Sequence, residues 1–335
     1  MLNNLEHKPL VYTAKDFETD QEVRWCPGCG DYAVLNAVKK VLPQTGKKKE
    51  DIVFVSGIGC SSRFPYYIDT YGMHTIHGRA FSVATGLKAS RPELDVWIVT
   101  GDGDGLSIGG NHLIHLCRRN PNVQVLLFNN EIYGLTKGQH SPTSPTGQIT
   151  KSSPLGVIDT PFNPPALTLG AGASFVARTA DRFTSHLQDT LLQSHQFKGT
   201  AFVEIYQNCN IFNDGAFASF TDKETKDTFA LFLEKDKPLL FGANNEKAII
   251  LEGLTPKIID ANQASDSNVW IHDPADKMKA HLLASFTEFE GFPRPFGVFY
   301  AKERMCYETL FDTQPFTYQE DEVDKLIAGK FNWSV

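Results

Sequence analysis

Between residues 31 and 207 the chain alternates short apolar runs of β character with stretches of helical periodicity, and few folds accommodate that pattern. The strand candidates are DIVFVSG (51–57), VWIVTG (96–101), VQVLLFNN (123–130), ASFVAR (173–178) and AFVEIYQ (201–207), each ending near Gly, Asn or a polar turn. Helical candidates lie between them at 30–42, 79–90, 106–119 and 181–196, with Asp31, Ser107 and Asp181 placed near their N-termini. Strands that are apolar along their whole length are buried on both faces, so the pattern predicts an α/β chain: a doubly wound, mostly parallel sheet covered by helices on both sides. Ligands of such a sheet sit at the carboxyl ends of its strands. Segment 131–167, rich in Gly, Pro, Ser and Thr, interrupts the alternation, and a connection of that length is as a rule functional or disordered.

Composition narrows the class further. At 335 residues the chain has the length of two domains, or of one large α/β unit with extensions. Its 41% hydrophobic content, with 24 Phe, excludes a disordered chain. The balance of 32 basic against 39 acidic side chains, net charge -7, has the wrong sign for nucleic acid, and Lys47-Lys48-Lys49 reads as a solvated turn. No apolar stretch approaches the ~18 residues of a membrane span. The N-terminus lacks the apolar centre of a secretory signal, so no membrane partner and a cytoplasmic location are expected. After about residue 210 a helix or strand is followed by a hairpin expected around Gly242-Ala243-Asn244-Asn245, a helix at 273–286 and a Phe-rich irregular end, FNWSV. We read residues 1–210 as the main domain and 211–335 as an extension packed on it.

The most specific chemical signal is Gly101-Asp102-Gly103-Asp104-Gly105, directly after the strand candidate VWIVT. Glycines allow close backbone approach to a phosphate, and a following helix would aim its amides there. A carboxylate in an anion site is consistent only if Asp102 holds a divalent cation that bridges to the phosphates. Asn129-Asn130 ends the next strand candidate, with Asn130 28 residues after Asp102, so both emerge at one edge of a parallel sheet. The Asp102 carboxylate, the Asn130 amide oxygen and the Ile132 carbonyl would give Mg²⁺ three of its six oxygens. A Rossmann dinucleotide site fits poorly, because the glycines do not follow G-x-G-x-x-G.

Six cysteines in a reducing compartment point to metal or redox chemistry. Cys26-Pro27-Gly28-Cys29 precedes a helix, Cys60 lies in the loop Gly57-Ile58-Gly59-Cys60-Ser61 after the first strand, and Cys209 follows AFVEIYQ. In one sheet all four thiols would converge near one edge, where four thiolates suit either Zn²⁺ or a [4Fe–4S] cluster, and spacing alone does not choose. Cys117 is expected in the core and Cys306 is incidental. His112 and His115 share a helical face without an evident third ligand and read as packing.

GDG followed by NN resembles the motif of thiamine-diphosphate enzymes. WCPGCGDYAVLNAV (25–38), the segment 56–88, VTGDGDGLSIGGNHLIHLCRRN (99–120) and LLFNNEIYGLTKGQHSPTS (126–144) resemble the β subunit of 2-oxoacid:ferredoxin oxidoreductases, most closely the 2-oxoglutarate type. The resemblance is dense over about residues 20 to 210. It implies a [4Fe–4S] cluster on Cys26, Cys29, Cys60 and Cys209, and Mg²⁺ on Asp102, Asn130 and Ile132. It also implies thiamine diphosphate against Ile58, Gly59, Cys60, Ser61, His77, Gly101, Asp102, Gly103, Asp104, Asn130, Ile132, Gly134 and Leu135. His77 is the catalytic candidate, since an imidazole transfers protons near neutral pH. Tyr133, Thr136 and Gln139 begin a loop expected to fold over the cofactor.

The activity implied is decarboxylation of a 2-oxo acid, acyl transfer to coenzyme A and one-electron delivery through the cluster to ferredoxin, with carboxylation as the reverse. The cofactor carries this chemistry and the protein orients it. One sheet-forming domain leaves the pyrimidine half of the site to another polypeptide, an α subunit. Arg63, His74, His77 and Arg79 would suit a second carboxylate, favouring 2-oxoglutarate over pyruvate. The rivals are a pyruvate-type subunit, a non-redox thiamine decarboxylase or ligase with structural zinc, and an assembly subunit without catalysis.

Overall fold

The computed structural model describes residues 11–265, 268–313, 324–325 and 327–329, so the expected irregular end FNWSV lies outside the described residues. Five runs form the predicted strands: β1 (Ile52–Ser56), β3 (Asp95–Gly101), β4 (Val123–Asn129), β5 (Phe175–Ala180) and β6 (Thr200–Tyr206). A short strand β2 (Tyr71–His74), which the sequence did not suggest, adds to the outer edge of β1. These six are parallel, in the order β2-β1-β3-β4-β6-β5.

The sheet does not stop at residue 210. β7 (Ala230–Leu233) and β11 (Arg294–Ala301) continue it beyond β5, with β11 antiparallel to β5 and parallel to β7. The tail is therefore a structural part of the eight-stranded sheet as well as a layer upon it. Between these strands, β8 (Leu240–Phe241), β9 (Lys247–Glu252) and β10 (Thr255–Asp260) form a small antiparallel sheet, whose first turn is the expected hairpin at 242–245. The helix expected at 273–286 spans Lys277–Ser285.

Strand alternation sends side chains to two cores. Val53, Val55, Ile98 and Val125 face one side with Phe81, Leu113 and Leu116, from helices α2 (Ala80–Ser90) and α4 (Gly110–Arg119). Phe54, Trp97, Val99 and Phe128 face the other, against Val34 and Val38 of α1 (Asp31–Val41) and Leu187 of α6 (Thr184–Gln196). A helix α3 (Asp102–Leu106) precedes α4, and α5 (Pro164–Gly170) follows the long connection. The sequence placed one helix at 106–119; the chain instead turns helical at Asp102 and breaks before Gly110. Among the described residues no helix is long and apolar enough to cross a membrane.

Register positions the site. Gly101 pairs with Phe128 and Asn129 with Tyr206, so Asp102, Asn130 and Gln207 leave the sheet at one edge, joined there by the loop after Ser56 of β1.

Candidate functional site

Along this edge lies a cavity of about 570 Å³. Its wall holds all thirteen residues expected against thiamine diphosphate, from Ile58, Gly59, Cys60 and Ser61 after β1 to Gly134 and Leu135 after β4. Tyr133, Thr136 and Gln139 line it as well, together with Phe128, His140 and Ser152, which the sequence reading did not single out.

Asp102 is almost fully buried at the start of α3, and burial pushes its carboxyl above the usual carboxylate range. Its Oδ2 accepts from Ser141 Oγ at 2.5 Å and Thr143 Oγ1 at 2.6 Å. Both hydroxyls come from the Ser- and Thr-rich connection, which is thereby tied down over the site. Thr143 Oγ1 also lies 2.9 Å from Asn129 Oδ1, and Asn129 Nδ2 donates to Glu204 Oε1 at 2.8 Å. Glu204 closes the chain on Arg178 Nε at 2.6 Å, deep between β5 and β6, with the guanidinium over the Tyr206 and Phe299 rings. A buried polar relay therefore runs from the cavity to the middle of the sheet.

Asp104 has a different task from Asp102. Its Oδ1 accepts from Ile58 N at 3.0 Å and Gly78 N at 2.7 Å and lies 3.0 Å from His77 Nδ1, while Oδ2 accepts from Thr100 Oγ1 at 2.6 Å. One buried carboxylate thus clamps the loop after β1, the loop before α2 and the end of β3. A Cβ at Gly57 would stand 1.8 Å from Asp104 Oδ2, so the clamp requires glycine there. His77 turns Nδ1 toward Asp104, and its ring lines the cavity wall.

Asn130 turns its Nδ2 to Gln207 Oε1 at 2.9 Å, and its Oδ1 accepts from Ile132 N at 3.2 Å. Between them Glu131 takes a left-handed conformation with φ 57°, and burial with Asp102 nearby pushes its carboxyl up to about 8.

Of the cationic groups expected to favour a second carboxylate, only His77 lines this cavity. His74 is drawn to the sheet edge by β2, where its Nδ1 lies 2.8 Å from Ser56 Oγ. Arg79 reaches back to the Ile108 carbonyl at 3.2 Å. The short 3-10 helix Ser61–Tyr66 takes Arg63 to a neighbouring cavity.

That second cavity, about 250 Å³, is lined by Cys26, Cys29, Cys60 and Cys209, and it shares Cys60, Asn130, Gly134 and Leu135 with the first. The four thiols stand around it; among the described residues no three His, Cys, Asp or Glu side chains close on one point as ligands of a single ion would. A Cβ on Gly134 would lie 3.5 Å from Cys60 Sγ and 3.6 Å from Cys209 Sγ. Burial and the nearby Asp31 carboxylate push the Cys60 thiol up to about 12, and Cys29 upward for the same reasons. A bound cation would reverse this, since a coordinated thiol is deprotonated. Cys117 is fully buried in the core and Cys306 is half-buried, both away from this group.

Comparison with known proteins places these observations in context. The family described as "Thiamine pyrophosphate enzyme, C-terminal TPP binding domain" matches residues 57–205. The 2-oxoglutarate oxidoreductase subunit KorB of Mycobacterium tuberculosis is 46% identical over 329 residues, covering 96% of this chain and 88% of that protein. A 2-oxoacid:ferredoxin oxidoreductase β subunit of Aeropyrum pernix is 43% identical over 204 residues, 61% of this chain and 64% of its own length. A solved structure of the 2-oxoglutarate:ferredoxin oxidoreductase from Magnetococcus marinus, holding 2-oxoglutarate, coenzyme A and succinyl-CoA, superimposes with TM-score 0.76 at 31% identity. That match covers 96% of this chain and 97% of that one.

Proposed function

Because this chain belongs to the β subunits of the 2-oxoacid:ferredoxin oxidoreductases, of the 2-oxoglutarate type, we propose that it binds Mg²⁺ and thiamine diphosphate in the larger cavity and a [4Fe–4S] cluster in the smaller one. The complex would decarboxylate 2-oxoglutarate oxidatively, forming succinyl-CoA and passing electrons through the cluster to ferredoxin; the reverse carboxylation would use the same site. The observation that carries this reading is the shared wall of Cys60, Asn130, Gly134 and Leu135 between the two cavities.

The donor set fits magnesium. Both hydroxyls that approach Asp102 bond Oδ2, which leaves Oδ1 for a cation, and the Asn130 amide oxygen and Ile132 carbonyl add two more hard oxygens. Four thiols on the wall of one small cavity suit a [4Fe–4S] cluster, which takes four thiolates.

Thiamine diphosphate supplies the carbon–carbon bond chemistry and a place for the electrons released. The chain's part is to hold the diphosphate end through the Asp102 cation, to seat the rings against Ile58 and Leu135, and to keep the His77 ring on the cavity wall for proton transfer. This chain's large sheet accounts for one side of the cofactor only. The pyrimidine side, and with it much of the substrate recognition, falls to the α subunit. Four thiols kept as cluster ligands suit a reducing compartment, so the complex is assigned to the cytoplasm.

Iron, acid-labile sulfide and the visible spectrum of the anaerobically purified complex test the reading. A broad band that bleaches on adding 2-oxoglutarate with coenzyme A is expected. Zinc in place of iron, or a higher specificity constant for pyruvate, would overturn the cluster or the substrate part respectively.

A further inference from the structure

We propose that Gln207 is a positioning residue for both centres at once, fixing the Asn130 amide for the cation and donating a hydrogen bond to the Cys29 sulfur; the inference rests on the magnesium and iron–sulfur reading above. Gln207 directly follows β6, 1% exposed, on the wall of the smaller cavity beside Asn130, which lines both. Its Nε2 donates to the Asn208 carbonyl at 2.6 Å and to Cys29 Sγ at 3.3 Å, and its Oε1 accepts from Asn130 Nδ2 at 2.9 Å.

This geometry has only one chemically consistent orientation. The Asn208 carbonyl can only accept, so the amide nitrogen of Gln207 must face it, and Oε1 must face Asn130. Asn130 in turn has to present Nδ2 to Gln207, which turns its Oδ1 away, toward Ile132 N and the cavity. An Asn130 amide rotated by half a turn would offer a cation its N–H groups. Gln207 prevents that rotation. At its other end the same side chain gives a thiolate sulfur a hydrogen bond, which favours the more negative, reduced state of a cluster and raises its potential. Sequence inspection assigned Gln207 no chemistry beyond closing a strand.

Two variants separate the roles. Gln207→Met keeps the length of the side chain and removes every hydrogen bond. Gln207→Glu keeps an acceptor for Asn130 and, ionised, loses the donor to sulfur. In the purified complex, Mn²⁺ replaces Mg²⁺ and its binding with thiamine diphosphate is followed by the free-ion EPR signal; the cluster's midpoint potential comes from an EPR-monitored redox titration, with iron content as control. Gln207→Met is expected to weaken Mn²⁺ about tenfold and to move the reduction equilibrium about tenfold toward the oxidised cluster, about 59 mV for one electron, at unchanged iron. Gln207→Glu is expected to hold Mn²⁺ within threefold of wild type and to lower the potential. A Gln207→Met complex with full iron that shifts neither quantity, or only one, overturns the inference; if that variant loses its iron, an unchanged potential in Gln207→Glu does so. Wild-type complex without iron, or indifferent to Mn²⁺, overturns the underlying reading and the inference with it.

Discussion

Replacing Asp104 by alanine and, separately, by asparagine distinguishes its charge from its shape. Alanine strands the buried Gly78 amide, leaves the buried Thr100 hydroxyl only the Gly101 carbonyl at 3.3 Å, and frees the Ile58 amide, which water can reach at the cavity wall. At about 1–3 kcal/mol for a buried donor left without a partner and about 0.5–1.5 kcal/mol for the bond Thr100 gives up, the first two cost roughly 1.5–4.5 kcal/mol together. The loss is local, because those groups anchor the loop after β1 and the turn into α2 and not the core of the sheet. Asparagine should fare much better. With Oδ1 still facing the two amides and His77, its Nδ2 points to Thr100, whose hydroxyl can rotate to accept, and the remaining loss is the charge assistance, about 1 kcal/mol. Hydrogen exchange of the complex, followed by mass spectrometry on peptides covering 56–61 and 75–80, reads this directly. At about 1.4 kcal/mol per power of ten, alanine should speed exchange there roughly tenfold or more, and asparagine about fivefold. Exchange in Asp104→Ala equal to wild type, or equal damage from both substitutions, would refute the clamp.

Three further outcomes are expected. Thr143→Val should weaken Mn²⁺ binding to the complex about tenfold while Thr143→Ser stays within threefold, since the hydroxyl and not the side-chain volume holds Asp102 Oδ2; equal affinity for all three proteins contradicts this. Alanine at Cys26, Cys29, Cys60 or Cys209 should remove or destabilise the cluster, whereas Cys117→Ala and Cys306→Ala should keep full iron, and a loss confined to the latter pair would mean different ligands. Burial holds the His186 imidazole down to about 4, below its ordinary value near 6.5. The folded state therefore favours the neutral ring, its contribution is complete above about pH 6.5, and it is lost as the pH falls toward about 4, by roughly 3 kcal/mol at most. His186→Gln should flatten the fall of thermal midpoint across that window, and an unchanged pH profile would count against it.

What could be read from the sequence follows the range of the interactions involved. β1, β3, β4, β5 and β6 are buried along their full length, so each announces itself as an apolar run and differs from the expected bounds by two residues or fewer. β2 has all four residues exposed, and β7 is only four residues long, so neither leaves such a trace. β11 carries Pro295 and Gly297, which blur its strand character, and its place beside β5 depends on packing between residues more than a hundred positions apart. The same division runs through the site. Asp102 and Asn130 were legible because a parallel sheet converts two strand ends into neighbours. Arg63, His74 and Arg79 were not, because closeness in sequence to Cys60 and His77 says nothing about which edge or cavity a side chain turns to. Ser141, Thr143 and Gln207 act only through bonds to distant partners, and the one hint available was a Ser- and Thr-rich connection too long to be idle.

The strand-end loops of β1, β3, β4 and β6 set the two cavities side by side on one edge of the sheet. The loops after β1 and β4 serve both cavities: Gly59 lines the larger while Cys60 lines both, and Asn130 lines both while Ile132 stays with the larger; the loop after β3 lines the larger and the one after β6, with Gln207, the smaller. The partition is then no thicker than one loop, and at Gly134 it has no side chain, with Cys60 and Cys209 sulfurs within ordinary contact of where a Cβ would be. A branched residue there would fill space beside the Cys60 and Cys209 sulfurs or push the loop into the larger cavity. Thinness also imposes rigidity, because a displaced loop would disturb both centres. The clamp on Asp104, the relay from Asp102 to Arg178 and the Gln207 amide each hold one of the converging loops against the sheet. In this arrangement the buried polar groups serve position, and the apolar cores on either face of the sheet supply the stability that lets them do so.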